Sequence, residues 1–227
     1  MKKIFVLTTF VLLTLTSFSQ TDYSGLYSYS FKPKGNPPAT EKARGPNGQL
    51  VLLKMEGNLY RFWLDVTIGW PNYNVGETDG TITLVNDTAS FDNTFEDAER
   101  PCILKFQLSN NVITINSQST SFNCGFGNGV HADGEYHFAK VQPKLDNVWL
   151  KNEYKESPVA TVKVNKATIY QDENCLHPFT PNKYFAKMTS FLSIAETEKT
   201  IYTEYILSPG KFIWGWIKKA DVTIASE

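Results

Sequence analysis

Three groups of residues have the types that could do chemistry. Cys175 and His177 lie two apart in a polar stretch. A thiol hydrolase uses that pair, with the imidazole drawing the proton from the thiol. An activated thiolate is usually set at a helix N-terminus or beside a cation, and neither Cys102 nor Cys124 precedes a helical pattern. Side chains two apart in a loop also seldom align for proton transfer, so no catalytic residue is assigned. The run His131-Ala132-Asp133-Gly134-Glu135-Tyr136-His137 gathers four potential metal ligands. Read as a strand, it turns Glu135 and His137 to solvent, opposite Tyr136 and Phe138, so no metal site is expected. Asp92, Glu96, Asp97 and Glu99 could supply the two facing carboxylates of a glycosidase, but crowded together they read as a solvated turn. There is no Gly-x-Ser-x-Gly, phosphate loop or dinucleotide fingerprint, and no cofactor is expected.

The other two cysteines read as structural. Cys102 shares a strand parity with Leu104 and Phe106, and Cys124 with Phe122 and Phe126. Two inward cysteines on neighbouring strands of an exported chain are expected to pair. The closed loop is worth about 3 kcal/mol on the chain-entropy account. Cys175 is then left as a free thiol.

Export is read from the N-terminus. Lys2 and Lys3 precede an apolar run, Ile4–Leu15, and Ser17-Phe18-Ser19 places small residues at a cleavage site. Residues 1–19 are therefore expected to be a signal peptide, similar to those of the Bacteroidetes, and the protein to be secreted or periplasmic. The apolar run is too short to span a bilayer and no later segment is longer, so no membrane span is expected.

The composition suits a folded domain. Of 227 residues, 41% are hydrophobic and 14% aromatic, and 22 Lys+Arg face 23 Asp+Glu. A net charge of -1 argues against nucleic acid as a partner.

The elements that must position these groups are strands. Tyr23, Gly25, Tyr27, Tyr29 and Phe31 alternate with serines. Leu50–Met55 and Leu59–Ile68 flank a Gly-Asn turn, a hairpin pattern. Trp70–Asp79 reads as a loop. Short strands follow around Ile82, Ala89–Phe91, Leu104–Leu108, Ile113–Ile115 and Tyr136–Phe138. The expected class is all-β. An antiparallel meander barrel of about eight strands occupies residues 20–142, a polar linker 143–158, and further short strands 159–227.

The last third carries Ala167-Thr168-Ile169-Tyr170, Tyr184-Phe185-Ala186-Lys187, Ile201–Ile206 and Gly215-Trp216-Ile217-Lys218-Lys219-Ala220-Asp221-Val222. This order resembles a bacterial SH3-like (SH3b) domain, and the resemblance implies a small SH3-like barrel over residues 159–227. Its usual glycine-aspartate turn is here Met188-Thr189-Ser190. Residues 20–142 resemble secreted barrels of the lysozyme-inhibitor-like or lipocalin-like kind, on Gly25-Leu26-Tyr27, Asp79-Gly80-Thr81-Ile82, Cys102–Phe106, Cys124-Gly125-Phe126-Gly127 and Asp133-Gly134-Glu135-Tyr136.

Together these imply a secreted, non-enzymatic binding module of the cell envelope, recognising cell-wall peptide or another envelope protein. Phe212, Trp214 and Trp216 alternate with Ile213, Gly215 and Ile217, so one face of that strand is aromatic and the other aliphatic. Tyr170, Tyr202, Trp214 and Trp216 are the expected binding residues. Packing of the same aromatics against the first domain is the plain alternative. An inhibitor or immunity protein that plugs a lysozyme-like or toxin enzyme is a second functional class, and an unrecognised hydrolase a third.

Overall fold

The computed structural model describes residues 21–38, 42–94, 98–118, 121–208 and 211–225. The expected signal peptide and the acids Glu96 and Asp97 lie outside the described residues. Among the described residues no helix is long and apolar enough to cross a membrane.

Eight strands make one antiparallel sheet: β1 (Gly25–Ser30), β2 (Asn47–Glu56), β3 (Leu59–Thr67), β4 (Val75–Thr83), β5 (Thr88–Asp92), β6 (Ile103–Ser109), β7 (Val112–Ser117) and β8 (Gly134–Phe138). Their order is β4-β3-β2-β1-β8-β7-β6-β5, a meander whose first strand meets its last. The sheet is a nearly closed barrel, open between β4 and β5. Alternation sends Tyr27, Leu50, Leu52, Tyr60, Phe62, Leu64, Leu104, Phe106, Ile113, Ile115 and Tyr136 inward. These bulky side chains fill the interior, so the barrel has a packed core.

Two aromatic side chains bridge the β4–β5 opening. A Cβ on Gly80 would stand 2.4 Å from the Phe91 ring, and one on Gly76 would stand 2.5 Å from the Phe126 ring. Glycine there lets both rings lie flat against β4. These glycines and their acidic neighbours also explain a misreading: Val75–Asp79, expected as loop, is the first half of β4. It pairs with β3 along its length, and as an edge strand it needs little hydrophobicity.

Cys102 and Cys124 form a disulfide, with a Cα–Cα distance of 4.6 Å. The setting differs from expectation, because Cys124 lies in a 3-10 turn, Ser121–Cys124, rather than on a strand. Phe122 is accordingly exposed, while Phe126 is buried. Beyond the turn Gly127 N–H donates to Val75 O at 2.9 Å, so this segment caps the start of the free edge of β4.

The two ends of the barrel differ. At one end β2–β3 and β6–β7 are joined by two-residue turns at Gly57-Asn58 and Asn110-Asn111, with Gly57 and Asn110 left-handed. The other end gathers the described parts of the long connections between β1 and β2, β3 and β4, β5 and β6, and β7 and β8.

After the barrel comes a short helix, α1 (Asn147–Glu153), with the Asp146 carboxylate accepting from Val148 N–H and Trp149 N–H. Eight short strands follow: β9 (Val159–Val162), β10 (Lys166–Thr168), β11 (Tyr184–Ala186), β12 (Ser190–Leu192), β13 (Ala195–Glu196), β14 (Thr200–Ser208), β15 (Lys211–Lys218) and β16 (Val222–Ile224). They form three small sheets, β12-β9-β16, β10-β11 and β13-β14-β15, around Val162, Ile169, Phe185, Phe191, Ile201 and Ile217.

A third cluster joins barrel to C-terminal strands. Val51, Leu53, Met55 and Trp63 on the outer face of β2–β3 pack with Leu150, Leu192, Ile206 and Phe212. The Asn147 amide completes the join, donating to Ile206 O and accepting Ile206 N–H, both at 2.8 Å.

Candidate ligand site at the barrel mouth

The expected aromatic surface forms, but most of it faces the barrel. On the β14–β15 hairpin Tyr202 stands opposite Trp216, Glu204 opposite Trp214, and Ile206 opposite Phe212. Phe212 is buried and Trp214 half-buried, packed edge-on against Phe179 at 5.1 Å between centroids. The Trp214 indole N–H is buried without a hydrogen-bond partner, so packing has to offset about 1–3 kcal/mol. Tyr202 and Trp216 stay half-buried with ring centroids 5.5 Å apart. Tyr170 joins them through paired backbone bonds with Trp216, both 2.9 Å. The four residues predicted from sequence thus come together only in part. Tyr170, Tyr202 and Trp216 form a small half-exposed group, and Trp214 turns inward.

Within this contact lies a buried charge pair that sequence reading missed. Glu204 is 1% exposed. Its Oε1 accepts from Arg61 Nε at 2.8 Å and from the Tyr202 hydroxyl at 3.3 Å, and its Oε2 accepts from the Tyr154 hydroxyl at 2.9 Å. Arg61 Nη2 also donates to Asp79 and, at 2.8 Å, to Tyr154. Trp63 Nε1 donates to the same hydroxyl at 3.2 Å. Burial pushes the Glu204 carboxyl up, and the Arg61 guanidinium opposes it. Arginine set between Tyr60 and the Phe62-Trp63-Leu64 run of β3 was the available sign of a buried partner.

The reactive-looking groups are held in other ways. The Asp172 carboxylate accepts the backbone N–H of Asn174 at 3.1 Å and of His177 at 2.7 Å, and lies 3.1 Å from His177 Nδ1. The imidazole is thus engaged by Asp172. The Cys175 thiol is buried, and desolvation pushes it up to about 11, away from a thiolate. Glu135 and His137 are exposed and 4.0 Å apart, while Asp133 accepts Ser117 N–H at 2.8 Å. Among the described residues no group of three or more His, Cys, Asp or Glu is arranged to hold a metal ion.

A sizeable cavity lies at the long-loop end. It is a pocket of about 660 Å³ with walls from Tyr29, Phe31, Lys32, Lys34, Trp70, Pro71, His131, Asp133 and Glu135, among others. That volume suits a small-molecule site. It opens where β1 and β8 separate, because their ladder ends at Tyr27↔Phe138 and Ser28↔His137. Its floor is Tyr29, edge-on against Tyr136 at 4.9 Å, and burial raises the Tyr29 hydroxyl above the ordinary tyrosine range. Phe31 and Trp70 supply apolar wall, Lys32 and Lys34 cations, and His131, Asp133 and Glu135 polar and acidic groups.

Two glycines fix the third wall. A Cβ on Gly69, whose φ is +70°, would stand 2.4 Å from Gly45 C and 2.5 Å from Arg44 O. A Cβ on Gly45 would stand 2.2 Å from Phe31 O. The 31–46 and 68–74 loops therefore touch backbone to backbone, and Trp70 N–H donates to Arg44 O at 2.7 Å. These pocket residues were missed in sequence because they are scattered over three loops. Lys32–Gly48, rich in Pro, Gly and charge, reads there as plain surface.

No family model, curated protein or solved structure matches this chain.

Proposed function

We propose that the protein is a secreted, non-enzymatic binding module of the cell envelope that recognises cell-wall peptide or another envelope protein. In this reading the barrel carries the ligand site, and the C-terminal strands form an SH3-like unit fixed to its side. The observation that carries it is the pocket at the long-loop end of an otherwise filled barrel, where aromatic side chains meet charges of both signs. The export pattern and the disulfide suit an extracytoplasmic setting. The raised Cys175 thiol and the engaged His177 support a role without catalysis. Tyr170, Tyr202 and Trp216 offer a smaller second surface.

Retention of the mature chain on purified peptidoglycan tests the reading. Phe31 is 65% exposed, so Phe31→Ala can remove a pocket wall without disturbing the core. Retention that Phe31→Ala weakens is the expected result. Absence of retention overturns the cell-wall reading, and retention indifferent to Phe31→Ala removes the pocket from it.

A further inference from the structure

β1 and β8 begin as an ordinary antiparallel pair and then part. Ala139 N–H donates to Leu26 O at 2.9 Å, so even-numbered residues of β1 turn their backbone groups toward β8. Phe31 N–H points the other way, to Pro46 O at 2.8 Å. On β8, Phe138 N–H donates to Asn111 O at 2.7 Å, so the odd-numbered residues face β1. The register would continue to Ser30 opposite Glu135 and Lys32 opposite Asp133. The strands do not make those pairs, and the pocket occupies their place.

The pocket is therefore bordered by two strand edges whose backbone donors and acceptors turn toward each other. Such edges are templates for a further main chain. The two borders also differ in charge. Lys32 and Lys34 come from the β1 side, Asp133 and Glu135 from the β8 side. Neither lysine has an ion-pair partner among the described residues, and both are exposed. A neutral sugar would use neither charge and a fatty acid only one. A peptide with free ends uses both, and its amides match the strand edges.

We infer that the split takes a short peptide bearing free carboxylate and free ammonium groups. Its amides bond the edges of β1 and β8, its carboxylates meet Lys32 and Lys34, and its ammonium groups meet Glu135 and Asp133. Apolar side chains lie against Phe31 and Trp70. This rests on the envelope-binding reading and names the ligand class for the same site.

Calorimetric titration of the mature chain tests it with two probes. One is the cell-wall tripeptide L-alanyl-γ-D-glutamyl-meso-diaminopimelate, and the other is the all-L tetrapeptide Ala-Glu-Lys-Phe. Each is used free, with its carboxylates amidated, or with its amines acetylated. Tighter binding of the first assigns the source to the cell wall, and of the second to protein. Either blocking step is expected to weaken binding about two- to fivefold, the worth of an exposed ion pair. The amidation effect is expected to vanish in the Lys32→Ala/Lys34→Ala variant, and the acetylation effect to shrink in Glu135→Gln. Binding by neither free peptide, or blocked peptides binding as well as free ones to the unaltered protein, overturns the inference. So do blocking effects that persist in the variants. Peptidoglycan retention without this charge dependence leaves the envelope role standing and removes only the peptide assignment. Charge-dependent peptide binding without retention does the reverse.

Discussion

Phe212, Trp214 and Trp216 on β15, and Tyr29, Phe31 and Trp70 around the split, are two aromatic groups of similar size in opposite states. In the first, Phe212 is buried against β2 and β3, Trp214 packs on Phe179 and Trp216 on Tyr202, with Glu204 held beside them by Arg61. The second lines an open pocket. What separates them is the polar group each keeps nearby. A carboxylate 1% exposed needs a counter-charge, and Arg61 on the barrel supplies it inside a contact that the apolar side chains of β2, β3, β14 and β15 bury. Around the split the lysines are left to solvent and the rings stay accessible.

Removing that charge partner is the strongest way to break the contrast. Arg61→Ala strands Glu204 without a counter-charge and is expected to cost about 3–5 kcal/mol. Urea denaturation followed by tryptophan emission measures it, with Trp63 and Trp214 shifting to the red as the face is uncovered. Emission unchanged at full stability would mean that the contact is held by hydrophobic packing alone.

The disulfide acts on the other side of the comparison. Cys102→Ser/Cys124→Ser frees the segment that carries Phe126 onto Gly76. A loss of about 2–4 kcal/mol in thermal unfolding is expected, with the Arg61–Glu204 contact retained until global unfolding.

Gly69→Ala sharpens the contrast by damaging the mouth alone. The left-handed backbone and the clash with Gly45 are expected to cost about 1–3 kcal/mol. Amide exchange checks it, with faster exchange at Trp70 and Phe31 and none at β14.

The smallest effect concerns α1, beside the contact. Burial pushes the Glu153 carboxyl up, helped by Asp65 and Glu77 and opposed by Lys155. A folded carboxyl raised in this way binds its proton more tightly than the unfolded one. Stability therefore falls as pH rises from the unfolded value, about 4.3, through the folded one. Glu153→Gln is expected to lose that step. It should melt slightly higher than the unaltered protein at pH 7 and match it below about pH 4.

The barrel was legible in the sequence because its strands alternate, and eight short runs with turns such as Gly57-Asn58 leave few other arrangements. The pairing of Cys102 with Cys124 was legible from the parity of Cys102 with Leu104 and Phe106 and of Cys124 with Phe126, but the 3-10 turn that carries Cys124 and exposes Phe122 was not. Val75–Asp79 was not, since an edge strand over which rings must lie is rich in glycine and acid. The site was legible only in part. Aromatic alternation on β15 marks a face that will be covered, but not by what, and Glu204 looks like any surface glutamate until Arg61 is seen across from it. The pocket was hidden because it arises where two strands stop pairing, and a ladder's end leaves no mark in either strand alone.

The segment after Cys124 has a consequence for how this protein can be made. Gly127 donates to Val75 and so occupies the first unpaired position along β4, and the disulfide tethers the segment close by. Synthesis in a reducing cytosol would leave that border bare, and bare sheet borders join one another. Inclusion bodies are the expected product of cytosolic expression, and soluble material that of export. The oxidising compartment would thus act as a solubility requirement, met by one bond at the rim of the barrel.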